Sequence, residues 1–198
     1  MSELLANPLV WLIGASEVGF WVLLGAGLVA RYLLRLRRVS TVLLLLVPVL
    51  DVVLIAASLA DVASGSPPGQ VHGLAAVYLG ATVAFGHSTI SWADRWVAHR
   101  FAGGPPSSRK PTYGAERVAY EWREWAKMAL LLGIAVAVML LTTAVAGRGV
   151  PPPQQWFTDP MWNWAARAGV VALIWLVFWP VWVTVAPPRA PEDADARA

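Results

Sequence analysis

The amino-acid sequence predicts an all-α integral membrane protein built as one bundle of five transmembrane helices. Of its 198 residues, 58% are hydrophobic and only 14% are charged, which is outside the usual composition of soluble domains. The apolar residues also gather in five runs of about 20, the length that a helix needs to cross a hydrocarbon core of about 30 Å. We therefore expect transmembrane spans near residues 8–31, 40–60, 71–93, 127–147 and 163–186.

The distribution of basic residues predicts the orientation of these spans. Arginine and lysine concentrate after the first run, between the third and fourth runs, and in the C-terminal tail, whereas only Arg148 and Arg167 fall on or near the other side. Cytoplasmic loops carry an excess of basic residues, so the N-terminus is predicted outside and the C-terminus in the cytoplasm. The basic residues lie mainly in the predicted loops, as is usual for a membrane protein. The expected partner is therefore the lipid bilayer, and no nucleic acid is expected.

The segments outside the spans have distinct compositions. Residues 101–112 are rich in Gly, Pro and Ser and are predicted to be a flexible linker. Residues 114–127 place Val118, Trp122 and Trp125 on one helical face, which predicts an amphipathic helix on the inner membrane surface before span four. The alternative is that this face docks a protein partner. Residues 1–186 are expected to form a single transmembrane domain, and residues 187–198 a disordered cytoplasmic tail.

The entry to the last span carries a helix-start signal. Asp159 followed by Pro160 is typical of an N-cap with proline at the first helical position. Trp156, Trp162 and Trp164 cluster around it and are expected to lie at the headgroup level, as indoles often do. Ligand binding by these tryptophans is the less favoured alternative.

Three ionisable side chains fall inside predicted spans, where a charge costs about 2.5–3.5 kcal/mol on insertion scales. They are Glu17, Asp51 and Arg167. Their predicted depths are compatible, so the three could meet in a polar core. Two carboxylates and one guanidinium leave one positive charge missing, which a shared proton or a bound cation would supply. The alternative is a structural ion pair between Arg167 and one acid.

The third span carries a stripe of small residues and a set of polar ones. Small residues recur every four positions and allow a second helix to approach closely, within the bundle or in a homodimer: Ala76, Gly80, Ala84 and Ser88. His87 is expected to face protein beside this stripe. With Ser91 and Asp94 it shares a helix face near the predicted cytoplasmic end, where the set could relay protons or contact a lipid headgroup.

Several kinds of chemistry are not expected. The chain has no cysteine, and its three histidines all belong to the third run or its ends, so no thiolate, haem or other cofactor is predicted. His87 and Asp94 are two helical turns apart, too far to hold one metal ion, and His72 is expected to be a solvated cap. Hydrolase and P-loop motifs are absent from the sequence, which favours a protein that is not an enzyme.

One part of the chain resembles a known group of proteins. The resemblance rests on the residues His72-Gly73-Leu74-Ala75-Ala76-Val77-Tyr78-Leu79-Gly80, Gly86-His87, Trp92-Ala93-Asp94 and the segment 100–105, with Asp51 and 121–125 in addition. In these the chain resembles the small YmcC-type membrane proteins of Gram-positive bacteria. The resemblance implies a multi-pass protein of the bacterial plasma membrane and implies no activity.

The leading functional hypothesis is a bundle that moves a proton, a cation or a small solute. Glu17 and Asp51 would be the titrating groups, Arg167 their counter-charge, and His87 with Asp94 a relay toward the cytoplasm. One alternative is a scaffold that binds a partner through 114–127. Another is an enzyme that acts on lipid headgroups through His87, Ser91 and Asp94.

Overall fold

A computed structural model describes residues 8–32, 34–101 and 110–188, and within these ranges the chain is helical with no strand. Its main helices are α1 (Pro8–Tyr32), α2 (Arg37–Ala63), α3 (Gln70–Phe101), α4 (Gly114–Val145) and α5 (Asn163–Leu176). A short 3₁₀ turn, Pro153–Gln155, precedes α5. Most of the predicted linker and tail lies outside the described residues.

Four helical segments are long and apolar enough to cross a membrane. They are Arg38–Ala63, Gln70–Val97, Gly114–Val145 and Asn163–Val185, and α1 contributes a shorter apolar stretch at Val18–Tyr32. Large apolar side chains cover the outside of the bundle, among them Val52, Leu173 and Trp182, which are more than half exposed. Such a surface is stable only in lipid, so the all-helical membrane architecture is confirmed.

The first two helices pack as a pair through glycines of α1. A Cβ on Gly19 would lie 3.0 Å from the Leu50 side chain, and one on Gly27 would lie 3.1 Å from that of Leu44. On another face of α1, buried Leu24 and Leu28 pack against Ala93 of α3. The α1–α2 pair is thereby joined to the rest of the bundle through α3.

Helices α3 and α4 approach each other closely at Gly80. A Cβ at this position would lie 2.5 Å from the Leu131 carbonyl oxygen, so only glycine permits this approach. Ala76, one turn earlier, is fully buried in a cluster with Ala135 and Met139 of α4. The predicted stripe of small residues is therefore a helix contact within one chain, and a homodimer through Ala76 and Gly80 would have to displace α4.

The predicted surface helix 114–127 is not separate from span four. The structure shows one continuous helix from Gly114 to Val145, with no break at Lys127. No glycine or proline occurs between Ala115 and Leu132, and most residues there are good helix formers, so nothing in the sequence ends the helix.

The last span changes its geometry at Pro180. This residue has no amide hydrogen to donate, and the helix passes through a π-helical turn at Val177–Val181 before a final α-helical turn at Trp182–Val185. The Thr184 hydroxyl donates a 2.6 Å hydrogen bond to the Pro180 carbonyl oxygen. The span therefore continues past the proline.

The Gly80 contact predicts the effect of one added methyl group. Gly80→Ala should lower the free energy of unfolding by about 1–3 kcal/mol, the usual cost of overpacking a core. Gly133→Ala is the matched control on α4, because a Cβ there meets nothing within 4 Å. Denaturant unfolding in detergent measures both, and equal stability of the two variants would contradict the close α3–α4 contact.

Candidate functional site

Asp51 lies on the buried face of α2. It is 4% exposed, and Ser40 and Ser58 are buried on the same helix. These residues are eleven and seven positions away from Asp51, which places all three on one face of a 3.6-residue helix. Helix α2 thus carries a polar stripe through an otherwise apolar bundle.

The polar partners that the sequence analysis proposed for Asp51 are not gathered around it. No hydrogen bond or ion pair joins Asp51 to another residue of the described ranges. The side chain of Glu17 lies outside the described part of the structure. Arg167 is exposed on α5, next to buried Ala165 and Ala166, so its predicted role as counter-charge is not supported. The reason is geometric: α5 packs through its alanines, which turns Arg167 away from the bundle.

His87, Ser91 and Asp94 do not form a common site. His87 is exposed one turn after exposed Val83, so the prediction that it faces protein is wrong for a single chain. Ser91 is half-buried. Asp94 instead contacts the end of α1, where the Tyr32 hydroxyl donates to its carboxylate at 3.1 Å and Arg31 pairs with it at 3.5 Å. The positions of these three residues therefore support neither the predicted proton relay nor the predicted enzyme that acts on lipid headgroups.

His72 belongs to a buried hydrogen-bond network rather than to a solvated cap. It is 3% exposed, its Nε2 lies 3.1 Å from an Asp61 carboxylate oxygen, and the Gly69 amide donates to its Nδ1 at 3.2 Å. The Ser66 hydroxyl donates to the other Asp61 oxygen. Both ring nitrogens are occupied, so His72 fastens the α2–α3 turn, and we name these four residues the turn clasp. This network was not predicted, because the sequence between α2 and α3 indicated only a short connecting turn.

The entry to α5 differs from its prediction in two ways. Asp159 Oδ1 accepts hydrogen bonds from the amides of Met161 and Trp162, at 2.9 and 2.8 Å, so it caps the turn before α5. It is not the N-cap of α5 itself, which begins at Asn163 after Trp162 and has no side-chain cap. Trp162, however, is 2% exposed and stacks on Trp156 with ring centroids 5.2 Å apart. It is a core residue and not part of an interfacial belt, because the Pro-rich segment folds over it and accepts a hydrogen bond from Trp156 at Pro151.

Trp122 and Trp125, the predicted docking or membrane-surface residues, contact the last span of their own chain. The Trp122 indole donates to the Thr184 hydroxyl at 3.0 Å, and the Trp125 indole donates to the Ala172 carbonyl oxygen at 3.0 Å. This side of α4 is therefore occupied within the chain. A scaffold that uses both tryptophans would first have to separate α4 from the last span.

A groove that was not predicted from the sequence lies beside the start of α4. It has a volume of about 410 Å³ and is lined by Lys110, Arg117, Tyr120, Glu121, Glu124, Trp175 and Trp179. Glu121 is 5% exposed and pairs with Arg117 at 2.6 Å. The i,i+4 spacing of Arg117 and Glu121 was visible in the sequence, but the burial of the acid was not, because it depends on the last span.

Metal chemistry has no cluster to support it in the part of the chain that the structure describes. No group of three or more His, Asp or Glu side chains there could hold an ion. Several of the described titratable residues belong instead to the turn clasp, the Asp94 contact or the groove, and Asp51 contacts none of them.

These features define a multi-pass helical membrane protein with an isolated buried carboxyl. The chain is 32% identical over 131 residues to the uncharacterised membrane protein YmcC of Bacillus subtilis (strain 168), a match that covers 64% of this chain and 69% of the relative. The chain therefore belongs to the YmcC family and is a multi-pass protein of the bacterial plasma membrane, as the resemblance implied. No known family profile matches it, and no solved structure does.

The Trp125 contact predicts a loss of stability when its indole nitrogen is removed. Trp125→Phe should lower the free energy of unfolding by about 1 kcal/mol, the net value of a typical hydrogen bond. Trp182→Phe is the matched control, because Trp182 is 66% exposed. Unfolding in detergent provides the comparison, and a fully stable Trp125→Phe protein would show that the indole is not held against α5.

Proposed function

We propose that this protein moves protons or small cations across the membrane, with Asp51 as the exchanging group. The observation that carries the proposal is the burial of this carboxyl in a membrane span without a hydrogen bond or ion pair to another described residue. Ionisable residues inside membrane spans are costly and commonly mark ion or proton pathways.

The missing counter-charge is the physical reason for exchange. A carboxylate out of contact with water needs a positive partner, and the described side chains supply none to Asp51. A proton or a cation bound at Asp51 would meet that need and could then be released to either side. Glu17 remains a predicted second acid, whereas exposed Arg167 and His87 have no part in this revised proposal.

The polar stripe of α2 supports a direction of movement along this helix. Ser40 and Ser58 lie on the Asp51 face, toward opposite ends of α2, and their hydroxyls can both donate and accept hydrogen bonds. Leu54 and Val47 separate them from Asp51 and are also buried. Transfer would therefore require water to enter between these side chains.

Replacing the carboxyl should abolish exchange without unfolding the protein. In proteoliposomes with an imposed pH or cation gradient, Asp51→Asn should eliminate flux, because the amide cannot release a proton or neutralise a cation. Asp159→Asn is the matched control, since asparagine also caps helices and the residue lies outside the core. Flux through Asp51→Asn equal to that of the unmodified protein would exclude this role for Asp51.

We also propose five spans with the N-terminus outside and the C-terminus in the cytoplasm. The support is the 25-residue length of α1 and the bias of arginine and lysine toward the loops at one end of the bundle. With this orientation the start of α4, including residues 114–127, lies at the cytoplasmic membrane surface.

The lack of cysteine makes this topology testable without background labelling. Thr112→Cys and Gln154→Cys each introduce one thiol at an exposed position near opposite ends of α4. In intact cells a membrane-impermeant maleimide should label Gln154→Cys and should label Thr112→Cys only after lysis. The reverse pattern would invert the orientation, and labelling of both in intact cells would contradict the crossing of the membrane by α4.

A further inference from the structure

The groove at the start of α4 has the size and composition of a ligand site. Its volume of about 410 Å³ falls within the range of about 300–1,000 Å³ that is usual for small-molecule sites. One part of its lining is charged and belongs to Lys110 and α4, while the other part is aromatic and includes Trp175 and Trp179 of the last span.

Among the described residues, the charged lining of the groove leaves one basic side chain, Lys110, without an ion pair. Arg117 pairs with Glu121 at 2.6 Å, and Glu124 pairs with Lys127 at 2.7 Å. No ion pair with a described carboxylate is available to Lys110, whose Nζ lies 5.9 Å from the Tyr120 ring centroid. Lys110 is therefore available to pair with a negatively charged ligand.

Arg117 can contribute to the same ligand without losing its present partner. One of its terminal nitrogens pairs with Glu121 and the other donates to the Pro111 carbonyl oxygen at 3.4 Å. A guanidinium has five N–H donors, so donors remain for another acceptor. Its central carbon lies 6.0 Å from the Tyr120 centroid, which places both cations next to one aromatic ring.

The aromatic part of the groove continues into the lipid-facing surface. Trp179 is 47% exposed, and its neighbours Phe178 and Val177 are exposed as well. A ligand seated here would have its charged group beside Lys110 and its apolar part against the outside of the last span. That combination describes an amphiphile and not a water-soluble ion.

We propose that the groove binds the phosphodiester headgroup of an anionic phospholipid. Lys110 and Arg117 would donate to the phosphate oxygens, and the acyl chains would lie along Trp175 and Trp179. Arginine and lysine are the usual phosphate-binding side chains, and a phosphodiester would give Lys110 the negatively charged partner that it lacks. None of these residues belongs to the Asp51 stripe, so this binding site is independent of ion exchange.

Native mass spectrometry of the delipidated full chain tests the proposal. Phosphatidylglycerol is titrated at about 0.15 M ionic strength, where exposed charges are largely screened. Lys110→Ala should weaken the first bound phosphatidylglycerol about tenfold, the change expected for one charge-assisted hydrogen bond. Lys110→Arg should restore binding, and the unmodified protein should bind phosphatidylcholine more weakly, because its choline cation opposes Lys110.

Arg123→Ala is the matched control for general attraction between basic residues and anionic lipid. Arg123 is an exposed arginine of α4 that does not line the groove, so this change should alter phosphatidylglycerol affinity by no more than about twofold. Equal losses for Lys110→Ala and Arg123→Ala, or no loss for either, would overturn the proposal. Competition by glycerol phosphate at the same concentration as the lipid would overturn the lipid assignment, since the acyl chains would then contribute nothing.

Discussion

The contact between Gly80 of α3 and the Leu131 backbone of α4 is the constraint on which the remaining arrangement depends. In lipid there is little hydrophobic force between helices, so packing relies on close backbone approach and on hydrogen bonds between helices. Gly80 provides the first. With α4 fixed on α3, the indoles of Trp122 and Trp125 reach the last span and provide the second. Gly80 and the two tryptophans thus hold α3, α4 and the last span together.

Several polar groups of the described residues hold helices together, whereas Asp51 and the Trp164 indole nitrogen have no hydrogen-bond partner there. The turn clasp joins α2 to α3, Asp94 joins α3 to α1, and Asp159 holds the turn before the last span. In each case the polar atoms have partners, so their burial is compensated. Asp51 has no such compensation among the described residues, and this contrast separates it from the structural polar groups.

Hydropathy and local capping were predictable from the sequence, whereas the direction in which single side chains point was often not. The apolar runs predicted the helices, and Asp159 with Pro160 predicted backbone capping near the last span because its bonds are made within a few residues, although α5 itself begins only at Asn163. The predicted environments of His87, Arg167 and Trp162 were wrong, because the burial of one side of a helix depends on the segment that packs against it. Burial of Trp162 depends on a folded Pro-rich segment, and the contacts of Trp125 depend on a span far away in the chain.

The turn clasp has a consequence for how the bundle assembles. Asp61 and His72 are only eleven residues apart, so closing this contact costs little chain entropy. The α2–α3 hairpin can form from its own residues, before α4 and the last span have left the ribosome. By contrast, the indole contacts of α4 bridge 47 and 62 residues and can form only when the C-terminal span is complete. Synthesis order and contact range therefore agree: the hairpin is the early unit, and the last span closes the molecule.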